Sequence, residues 1–338
     1  MDISRSAISK LALLAVGMVV IAVLASPVVP RGGERQAWET VRAAQEHVAD
    51  WRREQGTAAS REDDPFDCGL IGVEWSPLTT TLGSIEAKQA SCNPAWAVRF
   101  MRWYRDMGLN EGDTVAIFSS ASFPAMLLNA LVAAETLGLE VELLVSLGAS
   151  TWGANHPGAP WPAISAELRR GGYLRNKADF YTLGGSAENG GGMAEEGVSL
   201  LEQAAGETGV SMLRAAGVEE MIESKSAIVE QSGARLLVSI GGSQANLGTD
   251  PDVLRLEPGV HRPGDDVPAG NGVIASALET GVPVLHVLNV RELAAREGIA
   301  FDGAPQRLAP VDVNPWWAAF GLAVFFGVLL THRRWRLL

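Results

Sequence analysis

The chain has 338 residues, 47% of them apolar and 20% charged, which suits one large globular domain or two small ones and excludes a disordered or fibrous class. Twenty-seven basic against 39 acidic residues give a net charge of −12 without any dense basic stripe, so a nucleic-acid partner is set aside. Two cysteines build neither a disulfide-rich scaffold nor a four-cysteine zinc site, and no His/Asp/Glu spacing resembles a metal site.

Leu11 to Val29 is nineteen residues without a charge, preceded by Arg5 and Lys10. Trp316 to Thr331 is sixteen more, preceded by Asn314-Pro315 and followed by His332, Arg333, Arg334 and Arg336. A helix needs about 17–20 apolar residues to cross the hydrocarbon core, so residues 11–29 and 313–331 are predicted transmembrane helices. Trp316, Trp317 and Trp335 stand where interfacial aromatics belong. The positive charges place the tails, residues 1–10 and 332–338, in the cytoplasm, and the chain between the spans outside it. This makes it a membrane protein with an extracytoplasmic main domain. Taking away Asp2, Arg5, Lys10 and the three C-terminal arginines leaves 22 basic and 38 acidic residues, a net charge of −16 for the exported part. A signal peptide cleaved after Val23-Leu24-Ala25 is the alternative for the first segment.

Trp38, Val41, Ala44, Val48 and Trp51 recur at three and four residues, which predicts a membrane-proximal helix over 36–55, with Arg42, Glu46, Arg52 and Arg53 on its other sides. Residues 57–67 read as a polar linker, closing a membrane-proximal segment of 30–67, and the exported α/β domain is expected over 68–312. Cys68 and Cys92, in an oxidising compartment, form either one disulfide or two buried thiols. Gly72 to Ser84 carries one carboxylate (Glu74), Trp75, five hydroxyls that include Thr79 and Thr80, and then Glu86 and Lys88. It reads either as a polar substrate pocket or as a β-rich edge with an N-cap at Ser84. Asn93-Pro94 opens a helix that stops before Gly108.

An internal echo follows. Thr114–Phe118 reads as a strand, Ser119 to Ser122 as a loop of small residues, Pro124–Leu137 as a helix, then Gly138-Leu139-Glu140-Val141 leads to a strand ending at Ser146. Leu236–Ile240, Gly241-Gly242-Ser243, a helix near Gly272–Glu279, Gly281-Val282-Pro283-Val284 and a strand ending at Asn289 repeat the order around an insertion, with a surface loop at 250–271. Apolar runs alternating with helices indicate parallel strands, so the fold class is α/β: a mostly parallel sheet flanked by helices, with two related β-loop-α-β halves. A third strand of this kind is expected at 178–183.

Ligands of such sheets bind beyond the carboxyl ends of the strands. That rule selects Ser119, Ser120 and Ser122; Gly148, Ser150, Thr151, Trp152 and Asn155; and Gly241, Gly242, Ser243 and Asn246. Small residues there would leave backbone N–H groups for a carboxylate or phosphate. No Walker A or dinucleotide fingerprint is present, and no cofactor is expected. The glycine-rich stretch 184–192 reads as a lid or as a disordered excursion. For acid–base chemistry the candidates are Ser120 or Ser243 as nucleophile with His156 or Glu74 as base, though no Gly-x-Ser-x-Gly elbow supports them. His286, inside an apolar strand, reads as a core residue.

Gly69 to Ser84, Asn93-Pro94-Ala95-Trp96-Ala97, Ser146 to Asn155 and Gly241-Gly242-Ser243 resemble the poly-γ-glutamate system protein family. The resemblance covers roughly 68–303. It implies an accessory protein in the bacterial cytoplasmic membrane, part of the complex that makes and exports poly-γ-glutamate, handling that anionic polymer outside the cytoplasm. The two cysteines are no part of the family pattern. The alternatives are a membrane-anchored hydrolase or transferase acting on the polymer, and a module binding a sugar phosphate or nucleotide sugar.

Overall fold

The computed structural model describes residues 33–307. The apolar segments expected to span a membrane, and both tails, lie outside the described residues; among those described, no helix is long and apolar enough to cross one.

The first helix, α1 (Gly33–Glu54), follows the predicted periodicity, with Ala37, Val41, Ala44 and Val48 fully buried. It packs on α3 (Ala95–Asp106) and α4 (Pro124–Leu137), so the compact body begins with this helix rather than at Cys68. Arg52, expected on the polar side, is instead 2% exposed. Its guanidinium donates to the carbonyls of Gly69, Ile71 and Thr57, which fixes the chain leaving the helix. The segment read as a linker is pinned as well, because the buried Asp64 carboxylate accepts from the amides of Cys68 and Gly69 at 2.8 and 2.7 Å. Cys68 and Cys92 form the disulfide, closing a loop between α1 and α3.

The main sheet has seven strands: β2 (Thr114–Ser120), β3 (Glu140–Ser146), β5 (Phe180–Thr182), β6 (Ser211–Met212), β7 (Leu236–Ile240), β8 (Gly259–His261) and β9 (Val284–Val287). Their order is β6-β5-β3-β2-β7-β9-β8, parallel except that β8 runs antiparallel to β9. The expected strand at 178–183 is β5. The stretch 250–271 is not a loop throughout, since it supplies a short 3-10 helix (Pro251–Arg255) and β8, which covers the β9 edge.

Both faces of the sheet are covered, as its continuous apolar runs require. Val115 and Ile117 face the larger core with α1, α3, α4 and α5 (Trp161–Arg170). Ala116 and Phe118, on the alternate positions, face the smaller core with α7 (Val218–Ser232) and α9 (Val273–Glu279). Helix α4 is buried from Pro124 to Ala134, and Asn129 within it ties it to its neighbours through the Ala97 amide and the Ser91 carbonyl. His286 is buried in β9 as expected; burial, with nearby His261, lowers its pKa to about 4, so it is neutral there.

The chain starts the sheet at its middle. From β2 it winds outward through β3, β5 and β6, then returns to lay β7 on the other side of β2 before continuing to β9. The two halves of the sequence echo therefore meet at β2 and β7, with Ser119 opposite Ile240. This is the topological switch point of an open α/β sheet, where the loops leave in opposite directions and open a crevice.

Candidate functional site

A cavity of about 570 Å³ lies in that crevice. A second, two-stranded parallel sheet forms one side of it: β1 (Thr79–Thr81) pairs with β4 (Ala149–Ser150), Thr79 opposite Ala149. The pairing brings together two stretches that are far apart in sequence, Gly72–Ser84 and Ser146–Asn155. It is locked from behind by Asn155, whose side chain bonds Val73 N, Val73 O and Thr79 Oγ1 at 2.8–2.9 Å. Thr151 Oγ1 holds both the N–H and the C=O of Gly83, at 2.7 and 2.9 Å. Two glycines make the close approach possible. A Cβ on Gly83 would sit 2.8 Å from Ser150 Oγ, and one on Gly148 would sit 2.6 Å from Thr80 Cγ2.

Eight of the residues selected from sequence line the cavity: Thr80, Lys88, Ser120, Ser122, Gly148, Ser150, Gly242 and Ser243. Thr79, Ser119, Thr151, Trp152, Asn155, Gly241 and Asn246 do not line it and act as framework around it. His156 lies outside the cavity, its Nδ1 accepting from the Gly158 amide at 3.0 Å, and Glu74 is exposed on the surface. Neither meets Ser120 or Ser243, so the expected serine–histidine and serine–glutamate pairings do not form.

The amides of the selected loops divide: those of Gly242, Ser243 and Gln244, on the cavity wall, have no protein acceptor among the described residues, whereas the other two loops use theirs. Ala121 N donates to Ser146 O, Ser122 N to Ser120 Oγ and Phe123 N to Ser120 O, while Pro124 has no N–H to offer. In the next loop every amide from Leu147 to Ala154 has a protein acceptor. In that loop the β1 segment takes two of the donors, Ala149 N through Leu78 O and Thr151 N through Thr81 O. The cavity presents hydroxyls, one amine and the backbone N–H groups of Gly242, Ser243 and Gln244.

That amine is Lys88, on α2 (Ile85–Ser91), whose N-cap is Ser84 as expected. Lys88 is 2% exposed, and its Nζ lies 2.8 Å from Ser150 Oγ and 3.5 Å above the centre of the Phe123 ring. Among the described residues no carboxylate pairs with it. Burial lowers its pKa to about 7, so near neutrality it exists in both protonation states. Beside it, Ser122 Oγ accepts from Ser150 N at 2.9 Å and from Ser120 Oγ at 2.8 Å.

The opposite wall carries a group the sequence reading missed. Stretch 184–192 is an ordered loop bonded to itself through Gly190 N–Gly184 O and Ser186 N–Gly191 O, both 2.8 Å. Glu188, 1% exposed, points inward from it. Its carboxylate accepts five hydrogen bonds: from Lys225 Nζ (2.6 Å), Ser146 Oγ (2.7 Å), Thr182 Oγ1 (2.6 Å), Ala245 N (3.2 Å) and Ser243 Oγ. Burial alone would raise this carboxyl, but the Lys225 charge and the donors outweigh it and hold it well below the usual range. Lys225 is completely buried on α7 and also reaches Ser243 Oγ and Asn246 Oδ1, each at 3.1 Å. Ala187 and Glu188 both sit at positive φ, 51° and 56°, a conformation that this network over-determines. The only sequence signal was a lone acid within a run of glycines and small residues.

No family model, curated protein or solved structure matches the chain.

Proposed function

We propose that the protein is a membrane-anchored accessory component of poly-γ-glutamate synthesis and export, and that its exported domain holds a stretch of the anionic polymer in the switch-point cavity. One observation carries this reading. Three of the four sequence stretches that resemble the poly-γ-glutamate system family, Gly69–Ser84, Ser146–Asn155 and Gly241–Ser243, are separated along the chain yet converge on a single cavity, while the fourth, Asn93–Ala97, lies outside it. Its chemistry suits a carboxylate-bearing chain. The Ser122 hydroxyl, whose oxygen already accepts two hydrogen bonds, can donate to a carboxylate or an amide carbonyl, and Lys88 supplies a cation with no carboxylate partner among the described residues.

The net charge of −16 outside the expected spans makes the long-range interaction with a polyanion repulsive, so affinity should rise as salt screens it. Because Lys88 titrates near pH 7 and a bound carboxylate favours its charged form, affinity should also rise as the pH falls from 9 to 6. Calorimetry of short γ-linked glutamate oligomers on the detergent-solubilised full chain, with α-linked oligomers as control, tests both. Preferential γ-binding with that pH slope, flattened by Lys88→Met, is the expected result. No γ-binding, or equal binding of both linkages, would sink the reading.

A further inference from the structure

We propose that Ser150 and Lys88 form a nucleophile–base pair, which makes the cavity an acyl-transfer site acting on an amide bond of the bound chain. The identity of that amide as γ-glutamyl rests on the function proposed above; the pair itself does not.

The geometry has three parts. Ser150 Oγ and Lys88 Nζ are within hydrogen-bond distance, at 2.8 Å, and both line the cavity. Gly83 stands against Ser150 Oγ, where any side chain would crowd it. Ser122 Oγ accepts two hydrogen bonds, which leaves its own proton to donate to a neighbouring oxygen. A serine is a weak nucleophile until an adjacent base takes its proton, and a lysine serves as that base only when desolvation keeps it partly neutral. Lys88 meets this condition through burial without a carboxylate partner.

The reaction balances without any oxidant or metal. Ser150 Oγ bonds to the carbonyl carbon as its proton passes to Lys88 Nζ, and the negative charge collects on the carbonyl oxygen, where the Ser122 hydroxyl can donate to it. The carbon–nitrogen bond then breaks and Lys88 returns the proton to the departing amine, leaving an ester on Ser150. Water, or a second amine, loses a proton to Lys88 and attacks that ester; the proton goes back to Ser150 Oγ as the acyl group leaves. Water gives hydrolysis, and an amine gives transfer to a new chain.

The charged groups around Lys88 do not set its titration. Glu86 is on the exposed side of its own helix, bonded to Ser84. On α10 (Val290–Glu297), which packs against α2, Arg291 lies over the Phe301 ring, Glu292 pairs with Arg296, and Glu297 pairs with Arg99. Glu135 closes the far end of α4 against Arg175. Across the cavity Glu188 is neutralised by Lys225.

The test is labelling of the full-length protein in detergent with a fluorophosphonate, which phosphonylates an activated serine and releases fluoride. The expected adduct, mapped by peptide mass spectrometry, is on Ser150, with a rate that rises through about pH 7 and levels above it. Lys88→Gln should lower that rate by about 100-fold or more and flatten its pH profile. Ser199→Ala, on the exposed side of α6 (Glu195–Thr208), should label like the parent. No adduct on Ser150 in protein shown to be folded by circular dichroism overturns the proposal, as does a flat pH profile in the parent, which needs no variant to fold. Incubation with γ-linked oligomers separates the two readings. An adduct without turnover of those oligomers keeps the pair and discards the polymer; oligomer binding with neither adduct nor turnover discards the pair and keeps the polymer.

Discussion

Two contacts between a lysine and a serine involve residues of the cavity wall, and they differ in one respect. Lys225 reaches Ser243 at 3.1 Å and also pairs with Glu188, which four further donors hold in place. Lys88 reaches Ser150 at 2.8 Å and pairs with no carboxylate among the described residues. In the first, burial lowers the Lys225 pKa while the Glu188 charge and hydrogen bond raise it, and Ser243 donates to that same carboxylate. The second leaves the amine poised between its forms. Equal burial thus produces a strut on one wall and a reactive group on the other, and the carboxylate makes the difference.

The largest expected effect breaks the strut. Lys225→Met leaves Glu188 buried and uncompensated, and should cost roughly 3–5 kcal/mol in urea unfolding. An unchanged midpoint would mean that the ion pair holds nothing. The same substitution on the other wall should act in the opposite sense: Lys88→Met removes an isolated buried amine and should raise stability by roughly 1–4 kcal/mol below pH 7 while removing function. The sign follows from linkage. The folded value of about 7 lies below the ordinary lysine value of 10.5, so the unfolded chain binds more protons between them. The penalty is therefore full below pH 7 and fades as the pH climbs to 10.5, and the gain from Lys88→Met should shrink over that window. A gain that stays constant from pH 6 to 10 would contradict a depressed lysine.

A smaller effect sharpens the contrast. Thr182→Val removes one hydrogen bond from the Glu188 carboxylate and should cost about 1.5 kcal/mol, with fluorophosphonate labelling of Ser150 unchanged. Glu188 itself has a depressed folded pKa, so its contribution is complete above the ordinary value of 4.5 and is lost as the pH falls further. Acid should therefore loosen the 184–192 loop before the Lys88 side of the cavity, which hydrogen exchange resolved by peptide would reveal.

Much of the frame was legible because it is local. The helix Pro124–Leu137 was read with its observed bounds, since Pro at its start and Gly138 after its end are direct signals. The echo of strand, loop, helix and strand located β2, β3, β7 and β9, because buried parallel strands are written as continuous apolar runs. The short strand β8 escaped, lying among the prolines, glycines and aspartates of 250–271 that signal a loop. Arg52 looked like a surface residue because its partners are backbone carbonyls, which carry no mark in the sequence.

By itself the sequence determined the α/β class, the switch-point loops and eight of the residues that line the cavity, because apolar periodicity and turn chemistry act over a few neighbouring residues. It also selected both Lys88 and Ser150, without showing that they meet. Tertiary structure decided the pairings. Lys88 and Ser150 lie 62 positions apart, and Glu188 and Lys225 lie 37 apart. Only the folded sheet shows that one lysine finds a carboxylate and the other does not, because a buried charge is stabilised by what packs around it, wherever in the chain that comes from.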